Sequence, residues 1–365
     1  MKKHCFFQTA VNLAFFLLFS LASSAQISDV GSMMAAGKAD AQLLFESYLS
    51  PYINGFGAAL AGGWYNTAES HKPGGFDITF TVNASMVPEK YTSFDLAELD
   101  LQSLHPDIPG ANITPTVAGV AEDGPQLNYN LAGYELRAFN MPQGLDWRYV
   151  PAPTVQASVG LFKGTDLMGR YFPNIKKNDN TFGLWGLGLK HDIKQWIPGV
   201  KKLPVLQLSI MYGYTRLHTD VGISVEPDNI GALDNTTNIT WEDQQMNFIA
   251  QSHTANLLIA AKLPVITFYG GAGFIKTQTN LNLKGYFPVA DFVASAAAGE
   301  MVVTDQSAAD ALDPIDMEIK NQDGGYTKPR LNIGFRLKLS IITFHFDYTR
   351  ANYNVFTGGL GFSWR

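Results

Sequence analysis

The chain has 365 residues, with 26 Lys and Arg against 32 Asp and Glu and a formal net charge of −6. That balance excludes nucleic acid as a partner, because binding a phosphate backbone rests on basic patches. Charged residues are only 16% of the chain and aromatics 12%, yet after Ala25 no uncharged apolar run approaches the roughly 20 residues of a membrane helix.

The N-terminus sets the compartment. Lys2 and Lys3 precede an apolar run from Phe6 to Ala22, and Ser23, Ser24 and Ala25 supply small residues before Gln26. This pattern predicts a secretory signal peptide over 1–25, cleaved near Ala25, ahead of an outer-membrane destination in a Gram-negative cell. Cys5 is the only cysteine and lies before the apolar run. The mature chain would then have no disulfide, thiolate metal site or cysteine nucleophile.

Residues 26–62 read as a helix and a glycine-rich segment. Ala41, Leu44, Phe45, Tyr48 and Leu49 recur at helical spacing, so a helix is predicted from Ile27 to Ser50, with Pro51 as its stop. Gly55, Gly57, Gly62 and Gly63 then read as a flexible stretch that either passes through a tight space or simply connects. Such a helix would either plug a lumen from the periplasmic end or lie against the rim.

From residue 63 onward the period is two. Phe76, Ile78, Phe80 and Val82 alternate with Asp77, Thr79, Thr81 and Asn83, and the pattern is clearest near the C-terminus. There Leu331, Ile333, Phe335, Leu337 and Leu339 alternate with Asn332, Gly334, Arg336 and Lys338, while Ile342, Phe344, Phe346 and Tyr348 alternate with Thr343, His345, Asp347 and Thr349. One aromatic, apolar face and one polar or glycine face suit a strand between lipid and a lumen. The fold class is therefore all-β: a transmembrane antiparallel barrel over 63–365, with a short N-terminal helix. Strands near 76–87, 153–162, 165–172, 182–193, 203–219, 244–262, 264–284, 327–339, 341–352 and 355–364 put every short turn on one rim and every long connection on the other. About ten strands result, and twelve or fourteen also fit if the region from Pro88 to Ala152 adds pairs. Both termini would lie on the short-turn side.

Chemistry motifs are scarce. No Gly-x-Ser-x-Gly, His-Glu-x-x-His or P-loop is present, and the glycines at 183–188 and 270–273 lie inside predicted strands, where they mark close packing. No enzyme activity, cofactor or metal is expected. The candidate site is the lumen face, with Asp77, Arg336, Lys338, His345 and Asp347. If Ser340-Ile341 closes a tight hairpin, Arg336 faces His345 and lies diagonal to Asp347. Such charges either brace the wall or select what passes. Arg216 and His218, with Asp220, share the outward end of one strand, where they either are solvated or bind an anion or lipid phosphate. The acidic residues Asp305, Asp310, Asp313, Asp316, Glu318 and Asp323 form a loop that is solvated or binds calcium.

The stretch Gly63-Trp64-Tyr65-Asn66-Thr67-Ala68, with His71-Lys72 and Gly75-Phe76-Asp77, resembles an outer-membrane β-barrel family of the Bacteroidota that carries no assigned activity. So does Pro153 to Pro173, with Lys163-Gly164-Thr165-Asp166-Leu167 and Arg170-Tyr171-Phe172-Pro173. More distantly, the N-terminal segment followed by a barrel is similar to the long-chain fatty acid transporter family, although the Asn-Pro-Ala segment expected near its start is missing. That resemblance implies a plugged lumen and passage of a hydrophobic compound through a wall opening. The expected function is a channel or transporter for small hydrophobic or amphipathic compounds, with outer-membrane lipid around it. The alternative is a structural or assembly barrel that holds envelope proteins through its loops. Transport further predicts that deleting Ile27 to Ser50 opens the lumen.

Overall fold

The computed structural model describes residues 33, 38–131, 134–177, 180–223, 225–226, 233–234, 241, 244–289, 291–299, 302–304, 316–319 and 327–364. The expected signal peptide, and Asp305, Asp310, Asp313 and Asp323 of the acidic loop, lie outside them.

Ten strands form the wall: β1 (Phe76–Met86), β2 (Tyr149–Gly160), β3 (Thr165–Lys177), β4 (Asn180–Asp192), β5 (Leu206–Gly222), β6 (Gln245–Lys262), β7 (Ile266–Lys284), β8 (Thr327–Leu339), β9 (Ile342–Arg350) and β10 (Asn354–Trp364). Each pairs antiparallel with the next, and β10 pairs with β1 from Phe76↔Trp364 to Met86↔Asn354, which closes the sheet. Tracing paired positions once round the wall returns to β1 about twelve residues beyond the start, a stagger that tilts the strands by roughly 40°.

Alternation decides which face is which. On β1, Phe76, Ile78, Phe80 and Val82 are exposed, whereas Asp77, Thr79, Thr81, Asn83 and Ser85 are buried. The same inversion recurs on β9, where Phe344 and Phe346 are exposed and Thr343, His345, Asp347 and Thr349 are buried. Apolar outside and polar inside is unfavourable in water and correct in lipid. Among the described residues no helix is long and apolar enough to cross a membrane, so the strands are the crossing elements. Phe162, Trp196 and Trp364 project at the short-turn end, where amphipathic rings suit a membrane surface. The turns there are tight: Lys163 and Gly164 take φ of 56° and 67°, and Ser340 takes φ of 58° between paired Leu339 and Ile342.

The long connection between β1 and β2 adds no strand to the wall, so of the counts that fit, ten is the one found. Its short strands build two small sheets instead, Ser93–Asp95 with Ile113–Pro115, and Leu104–Pro106 with Gln126–Leu131 and Tyr134–Asn140. These fold over the long-loop end as a cap. Leu96, Leu104, Leu127, Tyr129, Phe139 and Met141 share its core with Leu281 and Leu283 of β7.

The helix departs from its expected end. Helix α1 spans Lys38–Leu60 and runs straight through Pro51. Proline removes one N–H and crowds the carbonyl four residues back, but here the helix is buried against cap and wall, and that packing outweighs the local cost. Gly55 and Gly57 are helical, not flexible linkers: a Cβ at Gly55 would lie 3.0 Å from Ser85 Oγ and from Val150 Cγ2, and one at Gly57 would lie 3.0 Å from Thr277 Cγ2.

Candidate functional site: a threaded lumen and a parted seam

The segment from α1 to β1 passes through the barrel from the long-loop end to the short-turn end. At the top, Asp40 accepts from the backbone N–H groups of Gln102 and Ser103, and Tyr48 donates to the carbonyl of Gln143, which ties the first half of α1 into the cap. Lower down, Ser85 of β1 donates to the carbonyl of Gly55 at 2.7 Å. The described N-terminal segment therefore begins at the long-loop end. This corrects the expectation that a plugging helix enters from the short-turn, periplasmic end; among the strands, β1 begins and β10 ends at the short-turn side. Alternation in the strands fixed their own ends but carries no information on where a preceding helix docks.

Two wall arginines receive the end of the helix. Arg170 of β3 donates to the carbonyls of Leu60 at 2.9 Å and Gly62 at 2.6 Å, and its Nε donates to Gln156 Oε1 at 3.1 Å. Arg330 of β8 donates to the carbonyl of Ala61 at 2.9 Å. A helix C-terminus leaves carbonyls without partners and carries partial negative charge, so buried cations at that point satisfy both demands. Trp64 follows directly and lies under the Arg170 guanidinium, 3.9 Å from ring centre to Cζ. Its indole fills the space left by two wall glycines, since a Cβ at Gly188 would lie 2.8 Å from Trp64 Cζ3 and one at Gly213 would also collide with the ring. Gly63 turns there with φ of 68°, a conformation that suits glycine. Tyr65 meets Tyr269 edge-on, and Ser209 donates to the carbonyl of Ala68 at 2.5 Å.

The base of the lumen is latched by charge. His71 donates its backbone N–H to Asp166 Oδ1 at 2.8 Å, its Nδ1 lies 3.0 Å from Asp166 Oδ2, and its Nε2 lies 3.1 Å from Asp77 Oδ2. Burial alone would lower the imidazole pKa, but its hydrogen bonds to Asp166 and Asp77, with their charges, outweigh this and raise it. Lys190 of β4 pairs with Asp166 at 3.1 Å and donates to the carbonyl of Glu69 at 2.9 Å, and Lys262 of β6 pairs with Glu69 at 2.8 Å. Six wall and plug charges, His71, Glu69, Asp77, Asp166, Lys190 and Lys262, thus pin one short segment to β1, β3, β4 and β6.

The expected lumen residues divide between latch and wall. Asp77 belongs to the latch. Arg336 faces His345 across β8 and β9, and Lys338 faces Thr343, in the expected register. Asp347 accepts from Tyr269 at 2.9 Å and from Asn332 at 2.7 Å. Arg336 and His345 are buried, while Lys338 is half-buried near the short-turn rim. Arg216 and His218 lie on the outer face of β5, toward the long-loop end, with Asp220 bound to Asn247. Asp316 and Glu318 fall in a short strand, Asp316–Ile319, that pairs with β7, and among the described residues no group of acidic, His or Cys side chains is placed to hold a metal. Sequence reasoning missed His71, Asp166, Arg170, Lys190 and Arg330 as parts of the site. Three of these, His71, Asp166 and Arg170, lie within the stretches that carry the family resemblance, which was the available signal.

One interface of the wall parts. Strands β2 and β3 pair only over Gln156–Gly160 and Asp166–Arg170, although β2 continues up to Tyr149 against β1, and β3 continues up to Lys177 against β4. The cause is proline. Val87 donates to the carbonyl of Arg148, and Gly160 to that of Gly75, so even-numbered residues of β2 bond to β1 and odd-numbered ones turn toward β3. Pro151 and Pro153 are odd and bring no donor to that edge. Extending the register from Ala157↔Gly169 sets Pro153 opposite Pro173, which is equally without an N–H. A register shift between Phe172 and Ile175 in the β3–β4 ladder bends the strand at the same height. Behind the parted edges is an apolar cluster of Leu60, Ala152, Phe182, Leu184, Leu217 and Ala250, with Phe56, Phe172 and Phe248 against it.

A closed, tilted, ten-stranded meander with an apolar outer face and a polar, plugged interior defines a β-barrel of the outer-membrane type. The chain belongs to a family of unknown function, DUF6588, which it matches over residues 1–364. No curated protein matches it. Among solved structures it is similar to the translocator domain of the autotransporter NalP from Neisseria meningitidis, at 10% identity and a TM-score of 0.27, covering 91% of this chain and 99% of that one. It is also similar to the outer membrane protease OmpT from Escherichia coli, at 9% identity and 0.28, covering 82% and 100%. A third is the toluene transporter TbuX of Ralstonia pickettii, at 7% identity and 0.26, covering 85% and 97%. These values carry no argument about activity.

Proposed function

We propose that this protein resides in the outer membrane with its cap outside the cell, and that it moves small apolar or amphipathic compounds between the bilayer and its interior through the β2–β3 seam. The carrying observation is the loss of the ladder above Gln156 and Arg170, where Pro151, Pro153 and Pro173 leave the two edges unbonded in front of an apolar cluster. An unpaired edge facing lipid is costly unless something else is gained by it. The axial route is occupied by the threaded segment, so a sideways route is the one that leaves the plug in place. Apolar solutes already dissolved in the membrane would meet the seam without crossing water.

The test joins the two edges. The variant Pro153→Cys with Pro173→Cys places thiols across the seam in a protein whose only native cysteine, Cys5, lies in the expected leader. In vesicles loaded with an apolar fluorescent probe, oxidation should stop exchange and reduction should restore it. Equal exchange in both states would reject the seam as the route.

A second reading rests on the cap, whose core is continuous with α1: a folded outer platform suits an assembly partner. Trimming residues 285–326 and finding co-purifying envelope proteins lost would favour it.

A further inference from the structure

Arg336 is almost wholly buried in the lower lumen, at 3% exposure, and neither its Nε nor its Nη2 has an acceptor. His345, directly opposite on β9, has no partner on either ring nitrogen. The carboxylates that would neutralise the guanidinium are engaged elsewhere. Asp77 is held by His71 at 3.1 Å, Asp347 by Tyr269 and Asn332, and Glu69 by Lys262. Among the described residues no carboxylate lies within ion-pair distance of Arg336. A buried guanidinium with its Nε and Nη2 unsatisfied and no carboxylate in contact is costly to hold, although the Asp77 charge reaches it, and Arg presents a fork shaped for an oxyanion.

We propose that Arg336 and His345 form a binding site for a small oxyanion, a carboxylate or phosphate group, in the lumen beside the latch. Lys338, half-buried on the same face of β8 as Arg336, stands between the site and the short-turn rim. Positive side chains along an approach raise the local concentration of anions, so the ligand enters from the short-turn end and not through the seam. The site is separate from the seam reading and survives if that reading fails.

The experiment uses the intact mature barrel in detergent and follows its unfolding midpoint with sodium phosphate or sodium acetate, against sodium chloride at equal ionic strength. A ligand that binds the folded state alone raises the midpoint with concentration. The wild type should rise by several degrees and saturate, Arg336→Gln should lose the response, and Arg336→Lys should keep a reduced one. Calorimetric titration of the wild type keeps the test independent of whether the variants fold. Acetate binding alone would identify a carboxylate site, and phosphate binding alone a phosphate site. No heat and no shift for the wild type with either anion, or an unchanged response in Arg336→Gln, would overturn the assignment.

Discussion

Pro153 on β2 and Pro173 on β3 fall opposite each other when the register of the lower β2–β3 ladder is extended upward, each without the N–H that a strand-to-strand ladder needs. Neither residue touches the plug by hydrogen bond, and the wall below them is fully laddered from Gln156 and Arg170 downward. The double variant Pro153→Thr, Pro173→Thr restores two donors and a β-branched pair suited to strands. It should extend the ladder upward and stabilise the barrel by about 1–2 kcal/mol. Amide exchange at Val155 and Tyr171 would slow by an order of magnitude or more if so, and unchanged exchange would show that the bend in β3, not the missing donors, holds the edges apart.

The His71 latch gives the barrel a pH dependence of known sign. The imidazole pKa is raised in the folded protein, so the charged ring stabilises the fold at pH below the ordinary histidine value, near 6.5. That contribution is lost as pH rises through the raised value. The wild type should therefore lose stability from neutral to alkaline pH, and His71→Asn should be flatter over the same window. Parallel curves for the two proteins would remove His71 from the account.

Arg170 and Arg330 act on the same helix end from opposite sides of the lumen. Replacing Arg170 by Met leaves the carbonyls of Leu60 and Gly62 buried without that donor, at a cost of about 1–3 kcal/mol each, whereas Arg330→Met leaves the Ala61 carbonyl its longer bond from Thr254 Oγ1 at 3.3 Å. Arg170→Met should cost more, because Arg170 bonds two of those carbonyls and also covers Trp64. The unfolding midpoints in detergent rank the two variants.

Truncation distinguishes the helix from the thread. Deleting residues 27–50 removes cap packing but leaves 61–72 latched in the lumen, so conductance in a planar bilayer should stay low, contrary to what a plug confined to that helix predicts. Replacing 61–72 by a short polar linker should raise it by an order of magnitude or more.

Enlarging a wall glycine beneath Trp64 tests the same packing gently. Gly188→Ala forces the ring against Met168 and Arg170, and overpacking of this kind costs about 1–3 kcal/mol. A larger fluorescence change than stability change would locate the strain at Trp64.

Strand positions were legible because the membrane imposes an alternation along the strands: Phe344 and Phe346 face outward, His345 and Asp347 inward. The Ser340 hairpin then fixed the Arg336 and His345 pairing. What stayed hidden depended on contacts far apart in sequence. Pro51 reads as a stop until the cap and wall around α1 are known, and Arg170 and Arg330 are ordinary inward charges until the helix end lies between them. The prolines at 151, 153 and 173 were visible, but their meaning lies in hydrogen-bond parity, which needs the register with β1. His71 sits in no periodic element, so only its resemblance motif marked it.

The threaded segment also constrains the order of assembly. A chain running through a closed ring cannot be inserted after the ring has shut, and β1 follows the latch by only a few residues. The pairing of β1 with β10 must then be the last seam to close, with residues 61–75 already lying along the inner face as a mandrel around which the strands are wrapped. The polar anchors on Arg170, Arg330, Lys190 and Lys262 would serve as gathering points for β3, β8, β4 and β6 before the ladder between first and last strands exists.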